Sequence, residues 1–386
     1  MSAADTAAIP HGRGMKCPGL LSFMVLLFVA ACATPPVEKP VPVPIPEQVP
    51  EPAPAPPPEP EPPLPPISIA AVGDIMIGTD LPLNHLPDDD GASFLSAVAP
   101  TLSAADVAFG NLEGVLLDGG VAVKECKDMS RCYLFRSPPR YASHLRDAGF
   151  DALSVANNHA LDFGEAGRSA TMQALNQYGL AHSGRYGDVA SLMHGRRSIA
   201  VIAFSSTRCS YSLLDIDVAV DLVAELAASH ATVIVSFHGG AEGIDAIHVK
   251  PGEEEYLGER RGDLIEFSHR MIDAGADLVI GHGPHVPRAL EIYNDHLIAY
   301  SLGNFATYYG ISVAGLKGYA PILIAELDEE GRFIGGRIES AIQLRPGGPV
   351  PDASRSAFRL MRQLSQEDFP DSAPLFFEDG SIEPRK

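Results

Sequence analysis

Six short apolar runs, each leading straight into polar residues, constrain this chain more than any other feature. Ile67–Val72 runs into Gly73-Asp74, Ala105–Phe109 into Gly110-Asn111-Leu112-Glu113, and Ala152–Ala156 into Asn157-Asn158-His159. Thr232–Phe237 runs into His238-Gly239-Gly240-Ala241-Glu242, and Asp277–Ile280 into Gly281-His282-Gly283-Pro284-His285. Leu297–Tyr300 runs into Ser301-Leu302-Gly303-Asn304-Phe305. Such runs, like Ile199–Phe204 beside them, are rich in β-branched residues and read as buried strands. Helical patterns lie between them at Ala92–Leu102, Pro139–Ala148, Glu165–Tyr178, Val218–Ser229 and Asp263–Ala274. Strand–helix alternation of this kind specifies an α/β fold.

In open α/β sheets, ligands bind beyond the carboxyl ends of the strands. Each ending is weak alone. A Gly-Asp pair after a strand is most often a turn, a lone histidine is usually structural, and an Asn pair often caps a helix. Their repetition gathers carboxylate, amide and imidazole groups at one edge. With no cysteine among them, the set suits a divalent cation such as Mn, Mg, Fe or Zn.

The domain is expected to span 67–345. It closes with a β-hairpin, Pro321–Leu327 and Phe333–Ile342, around Asp328-Glu329-Glu330-Gly331. Residues 346–386 read as a polar, loop-like C-terminal tail with one short helix at about Ala353–Leu364 that could dock on the body. The formal net charge of −21 repels nucleic acid, so none is expected as a partner. A polyanionic ligand would need a local positive site, such as a bound cation.

The N-terminus reads as an export signal over residues 1–31. His11, Arg13 and Lys16 precede an apolar run from Leu20 to Ala31, which is short for a bilayer span. Met15-Lys16 offers an alternative start. The run ends in Val29-Ala30-Ala31-Cys32, which resembles a bacterial lipobox. That resemblance implies cleavage before Cys32 and its lipidation, giving an exported, membrane-anchored protein facing the periplasm or cell envelope. Ala33 rather than aspartate follows, which favours the outer membrane. Residues 32–66 form a Pro-rich linker, expected to be disordered and extended, reaching on the order of 100 Å. Cys126 and Cys132 sit close together in a polar loop and read as a disulfide or as two loop thiols. Cys209 reads as a small buried hydrophobe.

The ordered motifs resemble those of CapA-like (poly-γ-glutamate capsule) proteins. They are Gly73-Asp74-Ile75-Met76, Asn111-Leu112-Glu113, Ala156-Asn157-Asn158-His159 with Asp162 and Gly164, His238-x-Gly-x-Glu242, Gly281-His282-x-Pro-His285-Val286 and Tyr300-Ser301-Leu302-Gly303-Asn304-Phe305. That family is similar in turn to calcineurin-like metallophosphoesterases. The resemblance implies a four-layer α/β/β/α sandwich of the metallophosphoesterase type with a metal centre at one edge. It implies Asp74, Glu113, Asn158, His238, His282 and His285 as metal ligands, with Glu113 bridging. It also implies His159 as the acid, oriented by Asp162.

The sequence departs from these patterns at Met76, where metallophosphoesterases carry a histidine, which implies a weak or missing second metal. Gly239, Gly283 and Arg288 depart at the rim. Arg136, Glu242 and Asn304 are candidates for substrate binding, and Arg136 reads equally as a surface ion pair.

Three functions compete. The first is a metal-dependent hydrolase acting on a phosphoester, amide or ester of an envelope polymer. The second is a non-catalytic subunit holding an anionic capsular polymer, alone or with other capsule-synthesis subunits. The third is a metal-stabilised structural protein.

Overall fold

The computed structural model describes residues 62–124, 132–208 and 210–385. The expected signal peptide, Cys32, nearly all of the linker, Cys126 and Cys209 lie outside the described residues. Cys132 is disulfide-bonded.

Strand Ile67–Met76 organises the first sheet. It pairs in parallel with Val107–Leu112 and Asn304–Thr307, and antiparallel with Tyr319–Leu327. Ala152–Ser154 and Ala181–Ser183 extend one side. Phe333–Gln343 extends the other through the expected hairpin. The second sheet runs in the order Leu290–Tyr293, His296–Ala299, Leu278–His282, Thr232–His238, Arg197–Ser205 and Ala190–His194.

Side chains alternate between the faces of a strand, and this alternation sorts the core into layers. Ile69 and Ala71 pack with Phe109, Val201, Ile234 and Ile280 between the two sheets. Ala70 and Val72 face the other way, against Leu102, Leu145 and Leu175 of the helices Ala99–Leu102, Tyr141–Asp147 and Gly164–Gln177. On the outer face of the second sheet, Val233, Val235 and Phe237 pack on Val223 and Met271 of the helices Ile216–Ala227 and Leu264–Asp273. The result is the expected four-layer α/β/β/α sandwich. Each fully buried Leu, Ile or Phe contributes about 1.5–3 kcal/mol of transfer free energy.

Two expectations need correction. Residues Ala92–Val98 form successive turns, and the helix covers only Ala99–Leu102. Asp89 accepts from Ser93 N–H at 2.9 Å there, a local side-chain bond that competes with helical pairing. The segment after 345 is not all loop on either side of its helix. Pro349–Pro351 and Ser381–Glu383 both pair with Phe333–Gln343. The helix Ser356–Asp368 buries Phe358, Met361 and Leu364 in the core.

Candidate metal centre

The strand ends bring the chemistry together. Asp74 sits in register with Asn111 on one neighbouring strand and Asn304 on the other. A Cβ on Gly73 would lie 2.0 Å from the Gly303 carbonyl oxygen, so glycine alone permits this approach. On the second sheet His238 is in register with His282. The two sheets then meet side chain to side chain. His282 Nδ1 lies 3.6 Å from Asp74 Oδ1. His285 places Nδ1 3.1 Å from Asp74 Oδ2 and Nε2 3.8 Å from Glu113 Oε1. His285 has a left-handed φ of 59°, a strained state for a non-glycine residue that clusters at functional sites. Asn304 holds it there: Oδ1 is 3.0 Å from His285 Nδ1, and Nδ2 donates to the His285 carbonyl at 3.1 Å.

The donors present fit a divalent cation. Asp74, Glu113 and His285 each offer one ligand atom, all within 4.8 Å of one another. Both Glu113 carboxylate oxygens, Asn158 Oδ1, His238 Nε2 and both His282 ring nitrogens are buried without a hydrogen-bond partner among the described residues. Leaving a buried polar atom unpaired costs about 1–3 kcal/mol. A hard-to-borderline cation takes this mixture of carboxylate, amide and imidazole atoms.

Electrostatics agree with that fit. Burial opposes ionisation of Asp74, but the hydrogen bond and charge of the adjacent His285 override it and lower the pKa to about 2. Burial raises Glu113 to about 8, with the Asp74 and Glu242 charges adding to the rise. Burial lowers His282 to about 4 and holds His238 well below its ordinary value, so both stay neutral and able to ligate. Burial also opposes the charge on His285, but Glu113, Asp74 and Glu242 outweigh it and raise the pKa to about 10.

His159 stands beside this cluster, with Nε2 3.9 Å from Glu113 Oε1. Its Nδ1 lies 2.8 Å from Asp162 Oδ2. Phe135 stacks on the ring at 4.0 Å and donates its N–H to Asp162. Lys124 Nζ pairs with Asp162 Oδ1 at 3.0 Å. Met76 is buried against Phe135 and Ile311 rather than among the polar groups.

The three substrate-binding candidates separate. Arg136 spends its donors internally: Nε and Nη2 on Asp80 at 2.8 and 3.0 Å, and Nη1 on the Gly119 and Gly120 carbonyls. It is buried and ties loops together rather than standing as a surface ion pair. Asn304 supports His285. Glu242 lies 3.9 Å from His285 Nε2 and 3.1 Å from Arg261 Nη2.

Sequence reasoning missed four residues. Asn111 donates to Asp74 Oδ1 at 2.8 Å, and Asn157 donates to Asn111 Oδ1 at 3.1 Å. Both sat within quoted motifs as the amides beside the ligands. Lys124 carried no signal beyond its place before Cys126, and Arg261 lay in an ordinary charged run.

The family model for bacterial capsule synthesis protein PGA_cap matches residues 68–309. The chain is 27% identical over 257 residues to the PGA biosynthesis protein CapA of Bacillus subtilis (strain 168), covering 62% of this chain and 63% of that one. It is 32% identical over 235 residues to a probable polyglutamine synthesis accessory protein of Mycobacterium tuberculosis (strain ATCC 25618 / H37Rv), covering 54% and 57%. The chain thus spans about three-fifths of the length of these curated relatives. It is also similar to the structure of a 5′-nucleotidase precursor from Thermus thermophilus, with TM-score 0.40 and 12% identity over 78% of this chain and 59% of that chain. A score that low leaves the fold to rest on the sheets and cores described above. The family match covers well over half of the 386 residues and takes in every strand end of the cluster, and this chain belongs to the bacterial capsule synthesis protein PGA_cap family.

Proposed function

We propose that this protein is an exported lipoprotein, anchored through Cys32, that hydrolyses bonds in an anionic capsular or envelope polymer with the help of a divalent cation. One observation carries the reading: the buried, unpaired donors of Glu113, Asn158, His238 and His282 beside Asp74 and His285. These six residues are the proposed ligands. A cation bound there supplies Lewis acidity and activates water. Asp74 keeps its charge through His285, and Glu113 places a second carboxylate against the same ring. Asp162 fixes Nδ1 of His159, so that Nε2 is the atom left to pass a proton to a leaving group. The family description and the relatives' names support a capsular polymer of the poly-γ-glutamate kind as substrate. The outer membrane is the proposed location, and other capsule-synthesis subunits are proposed partners.

A second reading is a subunit that holds the polymer without cleaving it. The burial of Met76 in an apolar cluster favours it, because no imidazole stands at that place. The test is a hydrolysis assay on γ-linked glutamate oligomers and on phosphodiesters, with metal-loaded full-length protein. Turnover lost on His159→Ala supports the hydrolase. Polymer retention without turnover supports the holding subunit.

A further inference from the structure

The hairpin Glu254–Tyr256 and Glu259–Gly262 carries two adjacent arginines with opposite fates. Arg260 points outward, with a side chain 66% exposed, and pairs with Glu253. Strand alternation turns the next residue inward, and Arg261 is 4% exposed. Its main chain is tied to the metal centre, since Gly240, two residues after His238, donates its N–H to the Arg261 carbonyl at 2.9 Å.

The guanidinium is only partly used. Nη2 reaches Glu242 Oε1 at 3.1 Å and Glu259 Oε2 at 3.2 Å. Nε and Nη1 are buried with no hydrogen-bond partner among the described residues. Arg288, buried under the same loop, makes a contrast. Both of its Nη atoms are engaged, by the two oxygens of Glu254 and the Ala241 carbonyl at 2.8–3.1 Å, and Nε alone is left without a partner among the described residues. Glu242 in turn shares its other oxygen with His285 at 3.9 Å. Arg261 is therefore a buried cation, one carboxylate away from the proposed ligands, with donors still to satisfy.

We infer that Arg261 receives an oxyanion of the bound polymer, a carboxylate or a phosphate, and so holds the chain beside the cation. Guanidinium is the side chain best suited to either anion. Although Glu242 and Glu259 pair with Nη2, the unpartnered Nε and Nη1 leave donors for an oxyanion in a protein of net charge −21. Glu242 holds the guanidinium in place and shares it with the incoming anion. The inference rests on the proposed polymer substrate but not on hydrolysis.

The test is calorimetric binding to metal-loaded full-length protein, with γ-linked glutamate oligomers in one arm and inorganic phosphate in the other. Arg261→Gln should weaken at least one probe about 10-fold or more, as expected for loss of a charge-assisted bond. Arg261→Lys should retain part of that affinity. The arm that responds identifies the anion. Metal content should match the wild type, and both variants should keep a wild-type circular dichroism spectrum at the assay temperature although loss of the buried ion pairs lowers the melting temperature. Equal affinities in wild type and both variants overturn the inference, as does wild-type protein that binds neither probe. Metal loss in Arg261→Lys also overturns it, because the arginine would then serve the cation. Absence of turnover with Arg261-dependent binding intact would defeat only the hydrolase reading.

Discussion

Asp162 Oδ2 lies 2.8 Å from His159 Nδ1, three residues further along the same turn. The same oxygen accepts the Phe135 N–H at 2.9 Å, while Lys124 Nζ sits 3.0 Å from the other. The carboxylate is thus fixed by two residues of the stretch between Leu116 and Arg136, and it fixes the imidazole in turn. Burial lowers the His159 pKa, and the Asp162 charge partly restores it.

If His159 is the proton donor, His159→Ala should reduce turnover by about 10²–10⁴-fold with metal content unchanged. Asp162→Asn should cost less, because the ring stays present but is less well oriented. Steady-state kinetics on both variants checks the order, and a larger loss in Asp162→Asn would contradict it.

Metal binding should release protons. In the metal-free protein the Glu113, Asp74 and Glu242 charges raise His285 to about 10 against its burial, while burial raises Glu113 to about 8. The two groups face each other at 3.8 Å and hold at least one proton between them at pH 7, which a cation must displace. Affinity should therefore rise with pH and fall on acidification below 7. Calorimetry in buffers of different ionisation enthalpy would detect the release. A pH-independent affinity between 6 and 8 would count against His285 and Glu113 as ligands.

Arg136→Ala should act on stability rather than on ligand binding. The substitution removes a paired, largely buried guanidinium from Asp80 and two carbonyls, a loss of about 1–3 kcal/mol. Chemical denaturation reads the stability, and polymer affinity should stay at the wild-type level. The reverse pattern would make Arg136 the anion receptor.

Cys32→Ser should leave the precursor uncleaved before that residue and unlabelled by a fatty-acid analogue in cells. Equal labelling of the variant would exclude the lipid anchor.

The strands that carry the site were legible because buried parallel strands read as unbroken apolar runs. Ile67–Val72 and Thr232–Phe237 were found from this signal, and in the structure they continue to Met76 and His238, through Asp74 and His238 themselves. Short edge strands such as Leu375–Phe376 and Ser381–Glu383 were not legible. Two or three mixed residues have no period of their own, and distant partners define them. The two arginines show the same limit. Asp80, which neutralises Arg136, is 56 residues away in sequence, and Arg261 turns inward only because of the hairpin register. Met76 was noticed as a missing histidine, but its packing on Phe135 and Ile311 depends on the fold.

The central claim is a cation held by Asp74, Glu113, Asn158, His238, His282 and His285. Elemental analysis of the purified full-length protein tests it most directly, beside Asp74→Ala, Glu113→Ala, His238→Ala and His159→Ala. The account predicts a bound transition or alkaline-earth metal in the wild type, substantial loss in the first three variants, and retention in His159→Ala. Full occupancy in all of Asp74→Ala, Glu113→Ala and His238→Ala, or loss in His159→Ala, would contradict it.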